Sequence, residues 1–124
     1  MIREDNDWIR QLFECVDAKD VEGFLEYLAD DVKFRFGNAP AVTGKDSVRK
    51  SIEGFFASIE GLSHRILETW VHPETVICQG EVTYTRIDSS QVTIPFANIL
   101  QMEGERIKEY LIYIDITPLY SNED

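Results

Sequence analysis

Thr75-Val76-Ile77-Cys78-Gln79-Gly80-Glu81-Val82-Thr83-Tyr84-Thr85-Arg86-Ile87-Asp88 reads as one long strand, rich in β-branched residues. Alternation puts Val82, Tyr84, Arg86 and Asp88 on one face and Thr75, Ile77, Thr83, Thr85 and Ile87 on the other. Turn residues bracket this run at Val71-His72-Pro73-Glu74 and Asp88-Ser89-Ser90, and a further turn follows at Glu103-Gly104-Glu105. The segments between them, about 63 to 72, 75 to 88, 91 to 102 and 106 to 116, therefore form an antiparallel meander. Pro95 cannot donate to a ladder, so a bulge or an outward-facing amide is expected there. A bulge would bend the sheet.

Upstream of Gly61 the pattern changes to helical. Trp8, Leu12, Phe13 and Val16 recur at helical spacing and predict a first helix over about 5 to 18. Asp20 offers an N-cap to a second, whose buried side carries Val21, Phe24, Leu25 and Leu28 and which stops near Ala29. In Val32-Lys33-Phe34-Arg35-Phe36 the strict alternation makes a short strand with Val32, Phe34 and Phe36 facing inward. Residues 37 to 40 read as a loop, and Thr43-Gly44-Lys45-Asp46 as a capping box ahead of a third helix over about 45 to 60. That helix buries Val48, Ile52, Phe55, Phe56 and Ile59, and Gly61 stops it. Helices followed by a meander predict an α+β fold: three N-terminal helices packed on a strongly curved antiparallel sheet, enclosing a cone-shaped pocket. The outer sheet face, with its β-branched residues, suits a homodimer interface as well as solvent.

A chain of 124 residues matches a single domain, assigned to residues 1 to 124. Hydrophobic residues at 44% and charged residues at 28% are a globular balance, and no apolar run approaches the roughly 20 residues of a spanning helix. Residues 1 to 7 carry no apolar stretch of the kind a signal peptide needs, so a cytoplasmic address and no membrane partner are expected. The net charge of −11, with scattered Lys and Arg, argues against nucleic acid. Cys15 and Cys78 have no Cys or His at metal or redox spacing and read as buried, reduced thiols.

Several segments resemble one family. Ala18-Lys19-Asp20, Tyr27-Leu28-Ala29-Asp30-Asp31-Val32, Gly44, Gly80-Glu81-Val82-Thr83-Tyr84, Ile107-Lys108-Glu109-Tyr110 and Tyr113-Ile114-Asp115 are similar to the SnoaL-like branch of the nuclear transport factor 2 superfamily. That superfamily includes ketosteroid isomerases, polyketide cyclases and limonene-type epoxide hydrolases. The resemblance covers nearly the whole chain and implies the cystatin-like roll, but not one reaction, because chemistry on this scaffold changes with the pocket side chains.

Arg86 and Asp88 are the sharpest catalytic candidates: a pocket-facing carboxylate can carry a proton while the guanidinium tunes it. The spacing resembles the Arg-x-Asp of limonene-type epoxide hydrolases. Their second aspartate, however, falls on Ile112, and their water-positioning tyrosine and asparagine fall on Phe34 and Phe36. For ketosteroid isomerases the base position falls on Phe36, the tyrosine on Leu12 and the protonated acid on Asn98. Asn98 or Tyr84 is expected to bind a substrate oxygen. The bland readings are a surface ion pair for Arg86 and Asp88, a buried amide for Asn98, and a strand-end anchor for Asp115. His64 can carry a proton near neutral pH but reads as structural, and it shares a strand face with Ile66, Glu68, Trp70 and a distant His72, too far away to share a metal.

The other inward positions are apolar. Phe24, Leu28, Phe34, Phe36, Phe56 and Ile94 are expected to line the pocket, with Phe96, Tyr110, Ile112, Ile114 and Leu119. Such a wall suits a small hydrophobic molecule of polyketide, terpenoid or steroid type. No metal or other cofactor is expected, since neither zinc spacing nor a glycine-rich phosphate loop is present. Two functions stay open: acid/base isomerase, cyclase or hydrolase chemistry, and a non-catalytic ligand-binding or dimerisation domain.

Overall fold

The structure is a computed structural model and describes residues 7–120. The expectations for residues 1–6, including the start of the first helix and the absent signal peptide, and the frayed tail at 121–124 lie outside the described residues.

Helix α1 (Asp7–Asp17) buries Ile9, Leu12 and Phe13, the stripe its spacing demands. Asp20 caps α2 (Val21–Leu25) by accepting the Gly23 N–H at 3.0 Å. This helix is shorter than predicted, because β1 (Leu28–Phe36) begins where it was expected to continue. Leu28 pairs with Ile107, and both are fully buried, so the apolar residue that looked helical belongs to the sheet. A two-residue strand, β2 (Val42–Thr43), pairs with Lys33 and Phe34. It takes up Thr43, so no capping box forms and α3 (Lys45–Ala57) starts from Gly44 at φ 91° without a side-chain cap. A positive φ there suits glycine. At the other end α3 stops before Gly61, and the Ser58 hydroxyl donates to the Phe55 carbonyl at 2.6 Å.

Gly61 instead opens β3 (Gly61–Val71), followed by β4 (Thr75–Thr85), β5 (Gln91–Glu103) and β6 (Arg106–Ile114). Among the described residues the strands form one sheet in the order β2-β1-β6-β5-β4-β3, with β1 parallel to β6 and the other pairs antiparallel. A short helix that sequence reading missed, α4 (Thr117–Tyr120), follows; its Thr117 N–H is accepted by Asp115 at 3.0 Å, the anchor expected of that residue.

Curvature does not come from Pro95, which sits opposite Glu81 with no break in register. Pairing with β6 begins only at Phe96, so on that side the missing N–H deprives no partner. The register breaks lie between Ile66 and Glu68 and between Gln101 and Met102. In the first, Leu67 is an extra residue, and alternation flips across it: His64 and Ile66 face the helices, whereas Glu68 and Trp70 face outward with their β4 partners Gln79 and Ile77. Gly80 makes this possible, because a Cβ there would meet the Arg65 carbonyl oxygen at 2.0 Å. The helices cover the concave face, and Leu12, Leu28, Val48, Val82 and Leu100 are fully buried between the layers.

Candidate functional site

Sheet and helices enclose a pocket of about 620 Å³, counting the open space at its mouth. Its wall is aromatic: Phe13, Phe24, Phe34, Phe36, Phe55, Phe56, Tyr84, Phe96 and Tyr110. The polar groups are few, namely Ser51 at the exposed rim, His64, Asn98 and the two tyrosine hydroxyls. Among the described residues, no Lys, Arg, Asp or Glu is part of this lining.

The geometry centres on His64. Because β3 begins beside the end of α1, the last helical residue, Asp17, reaches the strand with both carboxylate oxygens. Oδ2 accepts the His64 backbone N–H at 2.9 Å, and Oδ1 lies 2.6 Å from Nδ1. An ionised carboxylate can only accept, so Nδ1 carries the hydrogen, and in the neutral ring it is Nε2, on the opposite edge, that holds the lone pair. Phe13 and Phe96 hold the ring from two sides, with centroids at 4.8 and 5.2 Å. The imidazole is 10% exposed and Asp17 27%. A carboxylate-oriented imidazole with one free nitrogen at the wall of an apolar cavity is an arrangement for moving protons.

Asn98, on β5, is the second polar feature. It is 2% exposed; its Nδ2 donates to Tyr110 Oη at a long 3.5 Å, and its Oδ1 has no partner among the described residues. An amide oxygen without a partner inside an apolar wall is a group that a hydrogen-bond donor would satisfy. Burial, reinforced by the Tyr120 and Asp17 charges, raises the Tyr84 phenol, and burial with the neighbouring Cys78 raises Tyr110. Both therefore stay protonated and can donate.

Arg86 and Asp88 do not form a pocket pair. Strand β4 ends at Thr85, so alternation no longer governs them, and the Asp88 carboxylate points into solvent. It accepts from the Ser90 hydroxyl at 2.6 Å and the Ser90 N–H at 3.0 Å, and these bonds hold it below the usual carboxylate range. Arg86 instead clamps the C-terminal segment, donating to the carbonyls of Pro118 and Leu119 at 2.8 and 3.0 Å and to the Ser90 hydroxyl at 3.0 Å. The acid/base role read for this pair is withdrawn on that geometry.

Of the other expected positions, Tyr84, Asn98, Phe24, Phe34, Phe36 and Phe56 lie in the pocket wall, as do Phe96, Tyr110, Ile112 and Ile114. Leu28, Ile94 and Leu119 do not; they are closed into the core. Sequence reading missed Asp17, together with Phe13, Val16, Ser51, Ile52, Phe55 and Leu62 of the lining. One signal for Asp17 was available: a helix dipole disfavours an acid in the last turn, so an aspartate there calls for a partner.

The SnoaL-like domain family model matches residues 9–110. No curated protein matches the chain by sequence. Among solved structures, an NTF2-like protein of unknown function from Burkholderia pseudomallei superposes with a TM-score of 0.85 at 18% identity, covering 95% of both chains. A candidate SnoaL-like polyketide cyclase from Shewanella putrefaciens gives 0.79 at 14% identity over 95% of this chain and 84% of that one. An epoxide hydrolase of the limonene-epoxide-hydrolase-like type from M. tuberculosis gives 0.74 at 12% identity over 87% and 80%. At such identities the likeness is one of fold, whereas the family match spans most of the sequence. The chain belongs to the SnoaL-like domain family.

Proposed function

We propose that this protein is a pocket enzyme that performs acid/base chemistry on a small, neutral, apolar molecule, of polyketide, terpenoid or steroid type, with His64 as the proton carrier. The observation that carries the proposal is the His64–Asp17 pair, set in the wall of an aromatic cavity with Nε2 unclaimed among the described residues. Asp17 fixes the tautomer and stabilises the imidazolium that forms when Nε2 takes a proton. Asn98 anchors the ligand through a hydroxyl or other donor, and Tyr84 and Tyr110 offer donors to an oxygen on which charge develops. Neutrality follows from the lining, because a carboxylate or phosphate would be desolvated there without a cation to meet it. A carrier would need the rings and Asn98 but not a buried, oriented imidazole. Isomerisation, cyclisation and hydrolysis all require such a proton carrier, and the polyketide cyclase and epoxide hydrolase among the structural neighbours support that range.

The test is turnover of a panel of neutral epoxides and cyclic ketones by the wild type, His64→Gln and Asp17→Asn. General acid/base catalysis contributes about 10²–10⁴-fold, so His64→Gln should lose at least about 100-fold in kcat. Unchanged kcat in His64→Gln would remove the assignment.

The outer sheet face supports a second element of the reading, association with another copy of the chain. Strand register places Trp70, Ile77, Ile99 and Leu111 in one apolar row across β3, β4, β5 and β6, and Trp70 is 46% exposed. The helices pack on the opposite face, so a self-complementary partner is the occupant we propose. Sedimentation at micromolar concentration should show a dimer; a monomer would exclude it.

A further inference from the structure

Resting on that reading of His64, we propose that Lys19 is a positioning residue for the catalytic pair, anchoring the Asp17 carboxylate independently of the imidazole it serves. The end of α1 is closed by a Schellman turn: Asp20 N–H bonds to the Cys15 carbonyl at 2.8 Å and Lys19 N–H to the Val16 carbonyl at 2.9 Å. In that turn Lys19 holds the left-handed position, at φ 58°, where glycine is the ordinary occupant. A lysine there is less favourable than glycine, a cost that its side-chain contacts can offset. Its ammonium crosses to the far side of the corner and donates to the carbonyls of Phe56 and Ile59 at 3.0 and 2.7 Å.

Those carbonyls end α3 and begin the connection into β3, the strand that carries His64. Asp17, two residues before Lys19, makes the other attachment, to the His64 backbone and ring. The corner is thus fastened to the α3–β3 connection by a cation that takes no part in the proton transfer. As the imidazole gains and loses its proton, the carboxylate stays in place and the ring does not re-orient. Phe56, whose carbonyl Lys19 holds, lines the pocket from the same end of α3.

The distinguishing variant is Lys19→Gly, because glycine suits the left-handed turn at least as well and only the ammonium is lost. Its melting midpoint should stay within a few degrees of wild type. In protein labelled with 15N-histidine, the side-chain 1H–15N correlation spectrum of wild type should show His64 as a single Nδ1–H tautomer, assigned against His64→Gln. Lys19→Gly should show a mixture of tautomers, and Lys19→Arg should restore the single form. If Lys19→Gly fails to fold, Lys19→Met decides on the same spectrum. A His64 pattern identical to wild type in the folded variant, or loss of folding in both, would overturn the proposal and leave Lys19 a stabilising clamp. The spectrum needs no substrate, so it stands apart from the turnover test of His64: inactive imidazole chemistry with an intact Lys19 effect would sink the enzyme and not the positioning.

Discussion

Arg86 and Asp88 show how much one residue's position decides. One and three residues beyond the end of β4, neither is directed by the strand's alternation, and the turn at Ser89, with φ 75°, sends the carboxylate outward to Ser90. Asp88→Asn should leave kcat within about twofold, measured beside His64→Gln; a 100-fold loss would restore the discarded pair. Arg86→Ala removes two hydrogen bonds to the C-terminal segment and one to Ser90, and should lower stability by about 1–3 kcal/mol in urea unfolding, with kcat little altered. Asn98 should behave in the opposite way. Its Oδ1 is buried without a partner among the described residues, and Asn98→Leu removes that orphan but leaves the Tyr110 hydroxyl without its donor, so stability should change by no more than about 1 kcal/mol while KM rises tenfold or more. Tyr84 was legible as a pocket residue because it lies within a strand, where a period of two is reliable, and Asn98 because it falls on a functional position of the resembled ketosteroid isomerases. The His64–Asp17 contact was not legible, since 47 residues separate its partners and no local pattern links a helix end to a strand start.

At the scale of elements, the curvature that makes the pocket rests on the bulge at Leu67 and the glycine across from it. Gly80→Ala places a methyl 2.0 Å from a backbone oxygen that cannot move without opening the β3–β4 ladder. A loss of about 2–4 kcal/mol is expected in chemical denaturation, and a neutral effect would show that the bulge is not a constraint. The helices and the meander were readable from periodicity, because α1, α3 and the strands β3 to β6 are each long enough to repeat their pattern. Shorter pieces were not. Strand β2 is only two residues and α2 five, so neither completes a period, and what decides their conformation is pairing with Lys33 and Phe34 or the burial of Leu28 against Ile107. The bulge at Leu67 went unforeseen for a related reason: proline advertises itself in a sequence, whereas a close backbone approach shows only as a glycine.

For the molecule as a whole, the same burial that shapes the pocket sets an alkaline limit. Burial pushes the Cys78 thiol up to about 12, and Tyr84 and Tyr110 also rise above the ordinary phenol range. Above roughly pH 9 the unfolded chain releases these protons while the folded chain keeps them, so stability, complete below that pH, falls as pH rises. The urea midpoint should drop clearly between pH 8 and pH 10.5; an unchanged midpoint would mean that these groups are not protected. The fold joins an aromatic cavity to one oriented imidazole, and the claim that this imidazole moves protons is tested most directly by deuterium exchange. Wild-type protein in D₂O should accelerate incorporation of deuterium at the α-carbon of a neutral cyclic ketone, followed by NMR, and His64→Gln should reduce that acceleration at least about 100-fold. Equal rates with the two proteins would contradict the account.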